Sequence, residues 1–263
     1  MEMRKMNEET DLDLAIRLAI ESGKILSTHR KNNPVPDDLS KRKAYGEVAD
    51  RLSHDFLFKA FKDARPDDLV LSEEGIDPTK RLKADRCWII DPLDGTFYFA
   101  NNRSDFAVHI ALWERQSKAQ ANISVAAVSM PVFETVFDTK NVKVASKSNE
   151  IPRLLVSGSR PPLEMPKLTA IFDEVFGGVE IKSVGSVGAK VVQILEGKAD
   201  LYVHTTGFYE WDIAAPLAVA IAGGLVVCDI KGKSLQLNQE NLRVDNVIVC
   251  KPELLEVVLQ AVS

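Results

Sequence analysis

The run Trp88-Ile89-Ile90-Asp91-Pro92-Leu93-Asp94-Gly95-Thr96 sets an apolar stretch against two carboxylates three positions apart, with a hydroxyl close behind. Pro92 stiffens the turn between the acids, and Gly95 lets the backbone approach a ligand closely. Two Asp side chains converging at a strand end repel each other unless something cationic sits between them. Hard divalent cations favour such oxygen ligands, and Mg²⁺ is commonly held by a few carboxylates together with substrate phosphate. The run therefore reads as a metal site that handles phosphate. Two other segments extend it: Leu71-Ser72-Glu73-Glu74-Gly75, a second apolar stretch ending in acids, and Glu210-Trp211-Asp212-Ile213-Ala214-Ala215, where an Asp opens a small-residue helix.

These acids must be held by strand ends and a helix start that meet at one cleft. Helical spacing runs from about Asp11 to His29, with Thr10 as N-cap, and again from about Glu47 to Ala64. Pro34 and Pro36 break the chain between them. Strand-like runs follow at Leu69–Ser72, Cys87–Asp91, Phe106–Trp113, Ile123–Met130 and Glu134–Asp138, and their short loops suit antiparallel pairing. The polar stretch Asn141–Pro152 links two halves, 1–145 and 146–263. Beyond it strands and helices alternate: strand Arg153–Ser157, helix Leu163–Phe176, strand Val179–Val184, helix Val187–Glu196, strand Ala199–His204 and helix Ile213–Ala222. That pattern argues for an α/β layer. Gly197 and Gly223-Gly224 terminate the last two helices. A final hairpin is expected to turn at Lys231-Gly232.

The bulk properties narrow the function. The chain has 263 residues, 45% of them hydrophobic, enough for one large or two modest domains. A net charge of −5 without a long basic block argues against a nucleic-acid polymer as ligand. A small anionic substrate stays compatible, because a local cation outweighs a mild global charge. Cys87, Cys228 and Cys250 are far apart and each adjoins an apolar run, as reduced core residues of a cytoplasmic protein do. No stretch is apolar enough to span a membrane. The sequon at Asn122 is read as a chance match.

The three acidic motifs, in this order, resemble the inositol monophosphatase superfamily of Mg²⁺-dependent, lithium-sensitive phosphatases, over nearly the whole chain. The resemblance implies an α+β fold, a layered α-β-α-β-α sandwich. Its first half holds an antiparallel sheet and paired helices and its second half is α/β. It implies two to three Mg²⁺ ions that activate water: one held by Glu73, Asp91 and the Leu93 carbonyl, a second by Asp91, Asp94 and Asp212, and a third reached by Glu73 through water. It implies that Thr96 orients the attacking water while Asp50, in Gly46-Glu47-Val48-Ala49-Asp50-Arg51, accepts the proton. The catalytic set is then Asp50, Glu73, Asp91 and Thr96. For the phosphate, Gly95 and Thr96 offer backbone N–H groups. Gly185-Ser186 precedes a helix whose start can face an anion, and the matching pair of the family contacts substrate. Family members often form homodimers.

The second half points to one branch of that family. Val156-Ser157-Gly158-Ser159-Arg160 and Gly185-Ser186-Val187-Gly188-Ala189-Lys190 resemble segments of the bacterial bisphosphate nucleotidases of sulfate assimilation, which take 3′-phosphoadenosine 5′-phosphate to AMP. Ser159, Arg160 and Lys190 would then meet the second phosphate, Arg160 as a fork. Glu210 follows the same branch. Thr205 stands where inositol-specific members carry a sugar-binding Glu. Tyr98 replaces the branch's usual acid after Gly-Thr, which bears on substrate preference. The implied partner is a small phosphorylated nucleotide. Inositol, fructose and histidinol phosphates are the alternative substrates, and a non-catalytic metal- or nucleotide-binding role is the alternative class. Against these stand plainer readings: Glu74 as a bystander, Trp88 and Trp211 as packing, His109 as a core residue, Arg160 as a surface cation. His204 and Tyr202 are placed near the cleft.

Overall fold

The computed structural model describes residues 9–143 and 146–262, so the expected boundary at 145/146 falls partly outside the described residues. Helix α1 (Asp11–Asn32) starts where the Thr10 hydroxyl accepts the Asp13 N–H. Helix α2 (Leu39–Ala64) begins about two turns before the apolar spacing predicts. Asp38 caps it by accepting the Ser40 N–H, and its first turns, rich in Lys and Arg, have no core to face.

Five strands follow: β1 (Leu69–Ser72), β2 (Arg86–Asp94), β3 (Ala107–Glu114), β4 (Ile123–Met130) and β5 (Thr135–Asp138). They form one sheet in chain order, with the short helix α3 (Thr96–Ala100) between β2 and β3. Every neighbouring pair is antiparallel except β1–β2, which is parallel. The segment between those two strands is long enough to cross back, so the expectation of local antiparallel pairing fails there.

The second half contributes β6 (Arg153–Ser157), α4 (Met165–Phe176), β7 (Glu180–Val184), α5 (Val187–Leu195) and β8 (Leu201–His204). After them come β9 (Phe208–Tyr209), α6 (Glu210–Ala222), β10 (Val226–Cys228), β11 (Arg243–Val244), β12 (Val247–Cys250) and α7 (Leu255–Val262). The second sheet runs β10-β12-β8-β6-β7, and β9 pairs with β11 in a small ribbon. The expected terminal hairpin is not formed as such. The tight turn at Asp229–Lys233 exists, with Gly232 at φ +73° and its N–H on the Asp229 carbonyl. The partner of β10, however, is β12, well beyond that turn. Pairing over a long loop leaves no local signal.

Layer order follows from which face each strand buries. Trp88 and Ile90 of β2 pack with Leu14, Leu18, Leu57 and Phe61 of α1 and α2. The alternate residues, Cys87 and Ile89, face the other way, toward Val191 of α5 and Leu217 of α6. Leu155, Tyr202 and Val249 of the second sheet close that middle layer. The outer face of the second sheet, with Leu154, Val203 and Ile248, lies under Phe172 of α4 and Val258 of α7. The architecture is thus the α-β-α-β-α sandwich. Strands covered on both faces read as unbroken apolar runs. Among the described residues, no helix is long and apolar enough to cross a membrane.

Candidate active site

A bulge aims the paired acids. In the β2–β3 ladder Asp91 lies opposite His109 and Asp94 opposite Ala107, so three steps on β2 match two on β3. In a regular strand, residues three apart point to opposite faces. The extra residue turns both carboxylates to one side, which is a common use of a bulge. The Leu93 N–H donates to Asp91 Oδ1 at 3.0 Å and ties the turn. Gly95 then takes φ +93°, a conformation that L side chains disfavour, and starts α3 at Thr96.

Asp212 arrives from the first turn of α6, where one of its oxygens accepts the Tyr209 N–H at 2.7 Å. One oxygen from each of Asp91, Asp94 and Asp212 lies within 4.8 Å of the others. Glu73 follows directly on β1 and lines the same cleft, with its outer edge in solvent. Crowding shows in the acidities. Burial, then the neighbouring acids, raises Asp91 well above the usual carboxylate range. Burial, then Asp94, pushes Asp212 up to about 6. Desolvation, then Asp50 and Asp212, pushes Glu73 up to about 8. Burial also takes Asp94 to about 6, against the backbone N–H groups that start α5.

The Thr96 hydroxyl and the Asp50 carboxylate are in contact. Thr96 Oγ1 donates to Asp50 Oδ2 at 3.0 Å and lies 3.2 Å from the Leu93 carbonyl oxygen. Asp50 is buried in α2, and desolvation, then Glu74, pushes it up to about 8. Gly46, one turn earlier on the same face, permits the approach. A Cβ there would stand 2.8 Å from Thr96 Cγ2.

The remaining residues of the implied catalytic, metal and substrate sets line one cleft of about 250 Å³: Glu73, Asp91, Leu93, Asp94, Gly95, Thr96, Ser159, Arg160, Gly185, Ser186, Lys190 and Asp212. Asp50 reaches it through Thr96 and lines an adjoining cavity that it shares with Glu73, Thr96 and Phe97. Tyr98, Tyr202 and His204 also line the cleft. Arg160 donates one N–H to the Gly207 carbonyl at 3.0 Å.

Several assignments change character in three dimensions. The start of α5 does face an anion, but that anion is Asp94: the Gly188 N–H donates to Asp94 Oδ2 at 3.0 Å, while Ser186 Oγ caps the helix by accepting from Ala189. The N–H groups of Gly185 and Ser186 both go to Asp105. The Lys190 ammonium is buried and donates to the carbonyls of Val184, Gly185 and Ser186. Burial pushes its pKa down to about 8. Its N–H donors are thus taken by backbone carbonyls of the segment that starts α5. Thr205 Oγ1 donates to Glu164 at 2.6 Å. Glu210 is buried and accepts the N–H groups of Asn238 and Gln239. Trp88 is core, its Nε1–H on Asp68, and Trp211 stacks on Tyr209.

The donor set suits a hard divalent cation. Asp91 Oδ2 is buried without a hydrogen-bond partner among the described residues, and the oxygens around it are carboxylates whose repulsion a cation would offset.

The fold has counterparts among known proteins. The chain belongs to the inositol monophosphatase family, whose sequence pattern matches residues 7–263. It is 38% identical over 223 residues to a Mycobacterium bovis protein named 3′-phosphoadenosine 5′-phosphate phosphatase, covering 83% of this chain and 82% of that one. A Mycobacterium leprae protein of the same name is 34% identical over 261 residues, 96% of this chain and 93% of that one. Among solved structures, an inositol monophosphatase from Zymomonas mobilis matches with a TM-score of 0.76 at 22% identity, over 98% of this chain and 99% of that one. That last likeness is one of fold.

Proposed function

We propose that this chain is a Mg²⁺-dependent phosphomonoesterase that removes the 3′-phosphate of 3′-phosphoadenosine 5′-phosphate, giving AMP and inorganic phosphate. The observation that carries the reading is the meeting of Asp91, Asp94 and Asp212 beside the Thr96–Asp50 pair, with Arg160 across the cleft. The names of the two mycobacterial relatives support the choice of substrate.

Glu73, Asp91, the Leu93 carbonyl, Asp94 and Asp212 would hold two to three Mg²⁺ ions, with residues 1–145 as the metal-binding half and 146–263 as the substrate-binding half. Bound there, the cations supply Lewis acidity for water and offset the charge of the transferring phosphoryl group. The protein's own groups do the rest. Thr96 directs its hydroxyl hydrogen at Asp50 and keeps a lone pair for the attacking water. As the water oxygen bonds to phosphorus and the P–O3′ bond breaks, one water proton passes through Thr96 to Asp50. The departing 3′ oxygen takes a proton from solvent. Backbone N–H groups at Gly95 and Thr96 steady the phosphate, and Ser159 and Arg160 bind the 5′-phosphate or the ribose edge. Li⁺ would compete for the Asp94–Asp212 position.

The test compares phosphate release from the bisphosphate nucleotide, inositol 1-phosphate, fructose 1,6-bisphosphate and histidinol phosphate, each in Mg²⁺ and in chelator. The nucleotide should be preferred, with almost no release in chelator. Asp91→Asn, which removes the fully buried carboxylate of the cluster, should lose most activity. Full activity of that variant, or preference for inositol 1-phosphate, would overturn the reading.

A further inference from the structure

Ser22 of α1 and Ser53 of α2 are both fully buried, and the steps above give them no part. A helical serine commonly turns its hydroxyl to the carbonyl one turn back in its own helix. These two instead bond across elements. Ser22 Oγ and Ser53 Oγ lie 2.5 Å apart between the two helices, and Ser53 Oγ donates to the Pro92 carbonyl oxygen at 2.8 Å. A hydroxyl has one hydrogen to give. Ser53 gives its own to Pro92, so Ser22 is the donor between the pair and fixes the rotation of the Ser53 hydroxyl.

The Pro92 carbonyl and the Leu93 N–H belong to one planar peptide unit. That N–H donates to Asp91 Oδ1 at 3.0 Å. A single chain of hydrogen bonds thus runs from Ser22 to Ser53, from Ser53 to the Pro92–Leu93 peptide, and from that peptide to Asp91. Bonds in series inside a low-dielectric interior strengthen one another. At the end of the chain Asp91 Oδ2 is buried without a hydrogen-bond partner among the described residues. Ser53 also lies three positions after Asp50, on the same face of α2. The chain therefore fastens the helix that carries Asp50 to the strand end that carries Asp91.

We propose that Ser53 is a positioning residue for cation binding: by holding the Pro92–Leu93 peptide plane it keeps Asp91 Oδ1 engaged and leaves Oδ2 as the oxygen offered to the cation. This rests on the cation-dependent reading above. Without the Ser53 hydroxyl the peptide loses one of its two anchors, and a tilt of its plane carries the Leu93 N–H away from Asp91. Outer groups that orient a ligand typically contribute about 10–100-fold in metal affinity. Ser53 acts through a peptide, one bond further out, so the lower end of that range applies.

The experiment is titration calorimetry of Mg²⁺ and Mn²⁺ into the full chain without substrate, with thermal unfolding of each variant beside it. Ser53→Ala should weaken binding about tenfold. Ser22→Ala deletes a buried hydroxyl from the same pair but leaves Ser53 able to donate to Pro92, so its affinity should stay close to the parent's. A packing role would lower the thermal midpoint of both variants and leave the affinity of the folded molecules unchanged. Parent-like binding by Ser53→Ala, or equal weakening in the two variants, overturns the proposal. If Ser53→Ala fails to fold, Ser53→Cys, whose thiol is a weaker donor, is compared with Ser22→Ala by the same criterion. Failure of the parent itself to bind either ion would instead overturn the proposed function, and this proposal with it.

Discussion

Asp94 divides its carboxylate between two tasks. One oxygen accepts from the backbone that starts α5, and the acid as a whole joins Asp91 and Asp212 in the cleft. Arg160 is different, since it reaches the cleft from a loop and, among the described residues, makes one hydrogen bond, to the Gly207 carbonyl. It can discriminate substrates without shaping the acidic cluster. A hydrogen bond to a charged group contributes about 1.5–3 kcal/mol, so Arg160→Ala should cost roughly tenfold to a hundredfold in kcat/KM on the bisphosphate nucleotide. Hydrolysis of a simple monophosphate should change little. Paired kinetics on the two substrates check this, and equal losses on both would remove Arg160 from specificity.

Among the elements, the approach of α2 to α3 sets the Thr96–Asp50 distance. Gly46→Ala would force its new methyl group against Thr96 Cγ2 at 2.8 Å and the Thr96 carbonyl at 3.2 Å. In a helix interior alanine is favoured over glycine by about 1 kcal/mol, so helix propensity alone predicts a more stable protein. A misplacement of reacting groups by about 1 Å can cost a hundredfold in rate. The variant should therefore keep its thermal midpoint and lose at least about tenfold in kcat. A parent-like kcat would show that α2 has slack.

The same elements show what sequence discloses. Asp91, Asp94 and Thr96 are legible because they are close in the chain, and the strand ending in them is unbroken and apolar. The Thr96–Asp50 contact joins residues 46 positions apart, and only the family resemblance pairs them. Gly46 and Gly188 went unassigned, and His109 was read only as a core residue, because the close approaches they make cross layers, which a linear pattern does not contain. A glycine one turn before a buried Asp was the one available hint. Helix α7 also went unread, since a short apolar run fits strand or helix alike. The early start of α2 was hidden because apolar spacing reports burial, and that end is capped and solvated.

For the whole molecule, a buried ionic knot fastens the second sheet. Asp200 is buried, and it accepts from Lys251 Nζ at 2.6 Å and from the Arg153 side chain and backbone at 3.0 and 2.9 Å. Burial alone would raise its pKa, but the hydrogen bonds from Arg153 and Lys251 outweigh it and hold the carboxyl below its ordinary 3.8. A depressed folded pKa contributes stability that is present above the unfolded value and lost as pH falls through the folded one. Asp200→Asn leaves Lys251 buried without its counter-charge and should destabilise by about 3–5 kcal/mol at pH 7. The gap between parent and variant should narrow below about pH 4. Denaturant unfolding at several pH values measures it, and a constant gap would mean that Asp200 acts by shape alone.

The three thiols have a kinetic consequence. Cys87, Cys228 and Cys250 are free and no more than 3% exposed, and burial pushes each well above the usual thiol range. A thiol reacts as its thiolate and only when reached, so alkylating reagents and peroxide should leave the three native cysteines untouched. Cys87 lies on the strand that carries Asp91 and Asp94, whereas Cys228 and Cys250 lie on two paired strands of the second sheet. Pulsed iodoacetamide followed by peptide mass analysis then clocks the opening of each sheet separately. If the two sheets share one cooperative unit, all three cysteines should be labelled at the same rate. Earlier labelling of Cys228 and Cys250 would mean that the second sheet comes apart while the acidic strand is still folded.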